Sequence, residues 1–379
     1  MTKAAELAKM GEVLTNSQIG GRRNIVINGA MQVAQRGTSA TNPGGGYNTL
    51  DRWRFTQNSS GLGNFTAEQS TDVPSGEGFK SSLKMTNGDA KTITTTMTCY
   101  IETKFEGQDV QQLKYGTSSA ENVTLSFFVR SSVTGTFCCH LFQEGNNKAH
   151  VKEYTISSAN TFEKKTLTFT GDTATSLAND NTAELNIGWV LGSGSDAQIS
   201  ADSWASVPSA KGYCTSNQTN WITTNGATFY ITGVQLEVGS QATPFEHRSF
   251  AEELALCQRY CVQIVNTENG SAHIILAGMS RGSTNKNFTL PLPVTMRNTT
   301  PSVTLTGDVR LLNPEAHDFV NATDTLTCGG VTPTLVYMGN MLGLLYTGSV
   351  TDVTDTTNAD YNFQIVSASD HLFIIDSEL

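Results

Sequence analysis

The 379-residue chain is poor in charge, with Asp, Glu, Lys and Arg making up only 15% of it. Basic residues are the scarcer kind, 24 against 34 acids, and the formal net charge is −10. Nucleic acids are gripped by clustered Lys and Arg, and a pair such as Arg22-Arg23 is too small for that, so no nucleic-acid partner is expected. No apolar run approaches the roughly 18 residues of a membrane-spanning helix, so no membrane insertion is expected. The first residues, MTKAAELAKM, lack the apolar core of a signal peptide, which points to synthesis and folding in a cytoplasm. The seven cysteines are odd in number and show no metal-type spacing. Cys138 and Cys139 are adjacent in a strand and so face opposite ways. Cys257 and Cys261 lie one helical turn apart. Both pairs read as buried reduced thiols. A metal pair at Cys257–Cys261 would need two further ligands, and only His247 and His273 are near in sequence. No metal and no cofactor are expected.

Catalytic patterns are missing too. There is no Gly-x-Ser-x-Gly elbow and no His-Glu-x-x-His. The triple glycine Gly44–Gly46 has no following Lys and helix, so it is not a phosphate-cradling loop. Asp and Glu are scattered, often in turns such as Gly171-Asp172 and Gly307-Asp308, where they act as turn formers. Glycosidases need two carboxyls at a set distance, which a sequence does not carry. The chain is therefore read as a non-enzyme.

What is abundant is Gly, Thr, Ser and Asn around short apolar stretches. Strands are predicted at Ser82–Met85, Thr92–Phe105, Val123–Arg130, Thr136–Glu144, Lys152–Ile156, Glu163–Thr170, Glu184–Leu191 and Ala227–Leu236. Most are bounded by turn residues, and no helical pattern intervenes, which points to an antiparallel sandwich. Ile25–Ile27 and Met31–Val33 read as a hairpin about Asn28-Gly29. Trp53 and Phe55 alternate onto one face. Ser249 and Glu252 form a capping box that opens a helix from Phe250 to about Tyr260. Phe250, Leu254, Cys257 and Cys261 make its apolar stripe, expected to pack on a sheet. Strands resume at Val262–Val265, His273–Met279, Asn287–Leu290, Ser302–Thr306, Leu335–Met338, Leu342–Tyr346, Tyr361–Val366 and Leu372–Ile375. The expected organisation is a helix and linker over 1–23, a jelly-roll domain over 24–248, a connecting helix over 249–261 and a smaller β-sandwich-like domain over 262–379. The amino-terminal helix, with Ala4, Leu7, Ala8 and Met10 near helical spacing, is too short to stand alone in water and should order only against a partner.

Aromatics supply the softer signal. Trp189, Trp204, Tyr213 and Trp221 are concentrated late in the first β block. Flat rings with polar neighbours are what a sugar-binding groove uses. Trp189 and Trp53 fit a core better. Trp204, Tyr213 and Trp221 are the glycan-binding candidates, with core packing the competing reading for Trp204 and Trp221.

Three segments resemble phage virion proteins of the tail-fibre or appendage type. They are NIVINGAMQVAQRGTS followed by DRW, then ITGVQLEVGSQATPFEHR followed by LALCQRYC, and LPLPVTMRNTTPSVTLTG. The block between the first two is similar to jelly-roll carbohydrate-binding modules. In those modules the last strand carries an Asp that helps hold a structural calcium ion. Here Phe229-Tyr230-Ile231-Thr232-Gly233-Val234 has no acid. The resemblance implies a structural protein of the virion, made in the host bacterial cytoplasm. It implies a homo-oligomer, a trimer, attached to other virion proteins through its amino-terminal segment, where Ala4, Leu7, Ala8 and Met10 are the candidates. It also implies adhesion to a host surface glycan or protein. The alternatives are a capsid- or tail-associated decoration protein that binds only virion proteins, and a glycan depolymerase.

Overall fold

The computed structural model describes residues 3, 23–43, 45–58, 64–207, 213–266, 274–281, 285–298, 301–306, 309–312, 331–332, 341–347, 360–365 and 371–379. Ala4, Leu7, Ala8 and Met10, most of the predicted amino-terminal helix, and the strand predicted at Leu335–Met338 lie outside them. The chain divides into two compact units, Met1–Glu253 with Leu379, and Leu254–Glu378.

The first unit is an antiparallel jelly-roll sandwich. Its strands are β1 (Ser39–Thr41), β2 (Arg54–Gln57), β3 (Phe65–Ser70), β4 (Ser82–Asn87), β5 (Thr98–Glu106), β6 (Val123–Ser131), β7 (Gly135–Gln143), β8 (Lys148–Ile156), β9 (Glu163–Phe169), β10 (Ala183–Ser193), β11 (Trp204–Ser206) and β12 (Thr228–Val238). One sheet has the order β1-β3-β4-β12-β6-β9 and the other β11-β8-β7-β10-β5-β2. From β5 onward the chain passes repeatedly between the sheets, so neighbours in a sheet are distant in sequence.

The two-residue period of each strand explains the sandwich. Leu125, Phe127 and Val129 of β6 point inward, as do Ile101 of β5, Ile187 and Trp189 of β10 and Leu141 of β7, forming one continuous core. Trp53 and Phe127 pack on Trp189 with ring centroids 5.5 and 5.6 Å away. Cys139 joins this core while Cys138 faces a separate cluster on the other side of its sheet, as alternation requires.

The segment predicted as a hairpin about Asn28-Gly29 is instead an irregular stretch tied to the far end of the unit. Asn28 and Met31 adopt left-handed backbone angles, each with φ of 57°. The Asn28 side chain takes hydrogen bonds from the Gln32 and Val33 amides (2.8 and 3.0 Å) and gives them to the Val33 and Asp51 carbonyls (2.8 and 2.9 Å). Those side-chain bonds replace a strand ladder. Asn24 Oδ1 accepts from the amides of Val26 and Leu236 (3.0 and 3.1 Å), and Trp53 Nε1 donates to the Asn28 carbonyl (3.0 Å). Arg248 donates to the carbonyls of Val26 (2.9 Å) and Asn24. Gly29 allows the close approach, since a Cβ there would lie 2.1 Å from the Val234 carbonyl oxygen.

Helix α1 (Phe250–Gln258) begins where its capping residue predicts, with Ser249 Oγ accepting from the Glu252 amide at 3.3 Å. Its buried face differs from the expected stripe. Phe250 is 54% exposed and Leu254 only half-buried, whereas Glu253 and Cys257 are buried. The reason is electrostatic. The Glu253 carboxylate takes a 2.6 Å bond from the Asn28 amide and pairs with Arg248 at 3.3 Å, so a charged side chain sits where an apolar one was expected.

In the second unit, β13 (Cys261–Asn266), β21 (His371–Asp376) and β16 (Ser302–Thr306) form a three-stranded antiparallel sheet. A six-stranded sheet is ordered β17 (Val309–Leu312), β20 (Asp360–Ile365), β14 (Ile274–Arg281), β15 (Asn285–Pro291), β19 (Met341–Thr347), β18 (Val331–Thr332). Pro291 ends its strand, as a residue without an N–H should.

Candidate functional site

The three aromatic candidates stand in three different environments. Trp221 lies wholly within the main core and stacks on Phe65 at 6.3 Å. Tyr213 is buried against Phe142, ring centroids 6.0 Å apart. Trp204 is half-buried on β11. Its Nε1 donates to the Thr170 carbonyl at 2.7 Å, and its ring meets Tyr115 and His150 edge-on. Tyr213 and Trp221 therefore present no ring face to a ligand. Their polar sequence surroundings disguised apolar packing made through distant strands.

A different group of side chains gathers on the outer face of the second sheet. One transverse row runs Arg54 (β2), Glu102 (β5), Gly188 (β10), His140 (β7) and Val151 (β8). The next runs Lys104, Asn186, Phe142 and Ala149. Their sequence neighbours Ile101, Ile187 and Leu141 fill the core, so alternation puts this set outside it.

The face has two halves. Cys138, Phe142, Ala149, Val151 and Val190 form its apolar half, covered by Ala197, Val207, Tyr213 and Cys214. That covering segment is fastened by Gln218, whose Oε1 accepts from the Cys138 amide (2.8 Å) and whose Nε2 donates to the Val190 carbonyl (3.0 Å). The other half is polar. Glu102 accepts from Thr56 Oγ1 (2.7 Å) and Asn186 Nδ2 (3.2 Å) and pairs with Arg54 (3.4 Å). Glu144 accepts from Lys104 Nζ (2.7 Å) and from the same Asn186 nitrogen (2.9 Å). Arg54, Thr56, Lys104 and Glu144 are part-exposed and form a rim, while Tyr100, Glu102, His140 and Asn186 are buried.

Burial dominates the ionisation of this half. It pushes the Glu102 carboxyl above its usual range, although Lys104, Thr56 and Arg54 pull the other way. It raises the Tyr100 hydroxyl as well, and it lowers His140 to about 4, leaving that ring neutral at pH 7. The Glu102 and Glu144 oxygens bonded to Asn186 stand no more than about 6 Å apart, near the spacing used in glycoside hydrolysis. A general acid must reach the glycosidic oxygen, however. Glu102 is 1% exposed, with one oxygen held by Thr56 and Arg54 and the other by Asn186. The arrangement is suited to holding polar groups in fixed directions. Among the described residues, no group of three or more His, Cys, Asp or Glu side chains converges to hold a metal ion.

Charged residues at every second position of TCYIETKFE, namely Glu102, Lys104 and Glu106, were the available signal for this face. Asn186 and Gly188 in AELNIGWVL were its counterpart. Both strings read as ordinary strands because their alternate residues are strongly apolar.

No family model matches the chain, and no curated protein sequence matches it. Among solved structures it is similar to the enzymatically active domain of tailspike protein 4 of bacteriophage CBA120, at 14% identity over 57% of this chain and 21% of that one, with a TM-score of 0.31. It is similar to a family 61 carbohydrate-binding module in complex with β-1,4-galactotriose, at 8% identity over 57% of this chain and 99% of that one, TM-score 0.29. A family 11 carbohydrate-binding module from Clostridium thermocellum, in complex with a β-1,3-1,4-mixed-linked tetrasaccharide, shares 12% identity over 51% of this chain and 91% of that one, TM-score 0.26. The chain spans about a fifth of the tailspike domain's length.

Proposed function

We propose that this chain is a structural protein of a bacteriophage particle, a tail-fibre or appendage component that adheres to glycan on the host surface. The observation that carries adhesion is the polar half of the second sheet's outer face. A small set of planar polar groups, set on paired strands and fixed by one another's hydrogen bonds, is what recognition of a hydroxyl-rich ligand requires. The role is binding and not hydrolysis, because Glu102 is closed off and both of its oxygens are occupied. The virion reading rests on the three resembling segments. In support of it, the first two, some two hundred residues apart, are knit into one network by Asn24, Asn28, Arg248 and Glu253. The protein works as a homotrimer in the virion, after synthesis in the host cytoplasm. It attaches to other virion proteins through Ala4, Leu7, Ala8 and Met10, without nucleic acid or membrane insertion.

One observation favours a second reading, a decoration protein that binds only virion proteins. Among the described residues Phe250, on α1, is the one large hydrophobic side chain that is exposed, so the polar face of the second sheet carries no exposed aromatic platform. Fluorescently labelled full-length protein, added to host cells and to their extracted polysaccharide at low and high salt, separates the two. Adhesion requires saturable binding to both, and no binding at any salt would leave the decoration reading.

A further inference from the structure

Lys104 and Asn186 face each other directly across β5 and β10, on the outer face of the second sheet. Side chains paired in this way lie in contact. Both reach one carboxylate oxygen: Glu144 Oε1 accepts from Lys104 Nζ at 2.7 Å and from Asn186 Nδ2 at 2.9 Å. The amine therefore stands within about 6 Å of the amide nitrogen, near enough for a turn of the Lys104 stem to bring it onto the amide carbon. On its other side Asn186 Nδ2 lies 3.2 Å from Glu102 Oε2. An amine, a primary amide and two carboxyl groups thus form one cluster. Phe142 and Ala149 continue its row along the sheet, and water is kept off the amide, since Asn186 is 2% exposed. Asn186 Oδ1 has no hydrogen-bond partner, and a buried polar atom left bare marks strain or chemistry. The site is closed to a ligand from outside, but the Lys104 amine is already in it.

We propose that Lys104 and Asn186 join spontaneously in an amide bond that ties β5 to β10 covalently. Glu144 takes a proton from the Lys104 ammonium, and the freed lone pair of Nζ forms a bond to Asn186 Cγ. The Cγ–Nδ2 bond breaks as Glu102 gives its proton to Nδ2, which becomes basic once the carbon is tetrahedral. Burial favours the protonated Glu102 that this step needs. The newly bonded nitrogen returns a proton to Glu102, and the departing ammonia takes the one held by Glu144. A lysine ammonium and an asparagine amide become one secondary amide and one ammonium ion, with both carboxyls restored and nothing oxidised or reduced. The bond closes a loop in the unfolded chain as a disulfide does, and needs no oxidising compartment. Both strands lie inside their sheet, so the tie holds its centre.

The test is intact mass spectrometry and tryptic mapping of the full chain, made in a cell-free reaction and sampled over time at neutral pH. The chain should come to weigh one ammonia less than its sequence, and a branched peptide should join Lys104 to Asn186. Lys104→Arg keeps a cation beside Glu144 but removes the attacking amine, and should keep its full sequence mass. Glu102→Gln should form the bond at least about a hundred-fold more slowly, the usual worth of a general acid. Full sequence mass in the unaltered chain after long incubation overturns the proposal. So does a lost ammonia without the branched peptide, which would mean ring closure at an Asn-Gly pair such as Asn28-Gly29. Bond formation in Glu102→Gln at the native rate overturns the proton path through Glu102. If either variant does not fold, the branched peptide in the unaltered chain decides alone, whether or not the face binds glycan.

Discussion

Two of the buried polar networks in the first unit differ in how their acceptors are served. In the latch between residues 24–53 and 234–253, Asn24 Oδ1 and Asn28 Oδ1 each accept two backbone amides. Glu253 takes the Asn28 amide and Arg248. What stays bare there is a donor, Arg248 Nε. In the array on the second sheet, Asn186 Oδ1 and His140 Nδ1 are bare acceptors, and the rim around them is part-exposed. A network closed on its own backbone fixes structure. One whose rim of Arg54, Thr56, Lys104 and Glu144 stays part-exposed is placed to meet a ligand. The latch should therefore answer to substitution in stability, and the array in binding.

The largest effect should come from breaking the latch. Arg248→Met removes the donor to the Val26 and Asn24 carbonyls and leaves the buried Glu253 carboxylate without its cation. We expect a loss of about 3–5 kcal/mol, the usual result of removing one member of a buried pair. Urea unfolding followed by tryptophan fluorescence reads it directly. A loss below about 1 kcal/mol, typical of an exposed pair, would mean that the two segments hold together without the latch.

How much of this was legible in the sequence depended on how far apart the partners lie. The strands of the sandwich were readable because period-two alternation is local, and Val123–Ser131 and Ala183–Ser193 fall where it puts them. The capped start of α1 was local too. The buried Glu253 was not, because its partner amide is 225 residues away and nothing beside Glu253 announces it. The same distance misled the reading of Asn28-Gly29, whose neighbours are Val234 and Asp51 and not an adjoining strand. The array escaped for another reason. Arg54, Glu102, Asn186 and His140 come from four strands, and only sheet order β7-β10-β5-β2 brings them side by side. Trp204, Tyr213 and Trp221 drew the eye because tryptophan and tyrosine in polar sequence look exposed, yet Trp221 is core.

Next in size is a change inside the array. Gly188→Ala drives a methyl into the His140 imidazole, which must shift. About 1–3 kcal/mol of stability should go, the range for overpacking a filled site, and glycan binding should fall with it. Unaltered binding in a folded Gly188→Ala protein would take His140 out of the site. A smaller effect separates the carboxylates by pH. Burial raises Glu102, so the folded protein keeps that proton to higher pH than the unfolded chain does. The associated stability is complete below the unfolded carboxyl range and is lost as pH rises through the folded value. Glu102→Gln has no proton to lose. Its unfolding free energy should fall less than the native protein's between about pH 4 and about pH 8, as urea titrations at each pH would record. A steeper fall would mean that Arg54 and Lys104 hold Glu102 ionised throughout.

The smallest expected effect bears on the helix that follows the latch. An apolar stripe of Phe250, Leu254, Cys257 and Cys261 made Phe250 an anchor, but its ring is 54% exposed. The neighbouring Glu253 is buried by polar bonds to Asn28 and Arg248. If those bonds hold the start of α1, Phe250→Ser changes little, within about 0.5 kcal/mol, as surface substitutions do. Glu253→Ala, by contrast, removes the carboxylate that Arg248 and the Asn28 amide share, and should approach the cost of Arg248→Met. Measured side by side in urea, the two variants rank polar latch against apolar stripe. A Phe250→Ser loss as large as that of Glu253→Ala would return the helix to the stripe, and would make the exposed ring the first place to look for a surface that another protein covers.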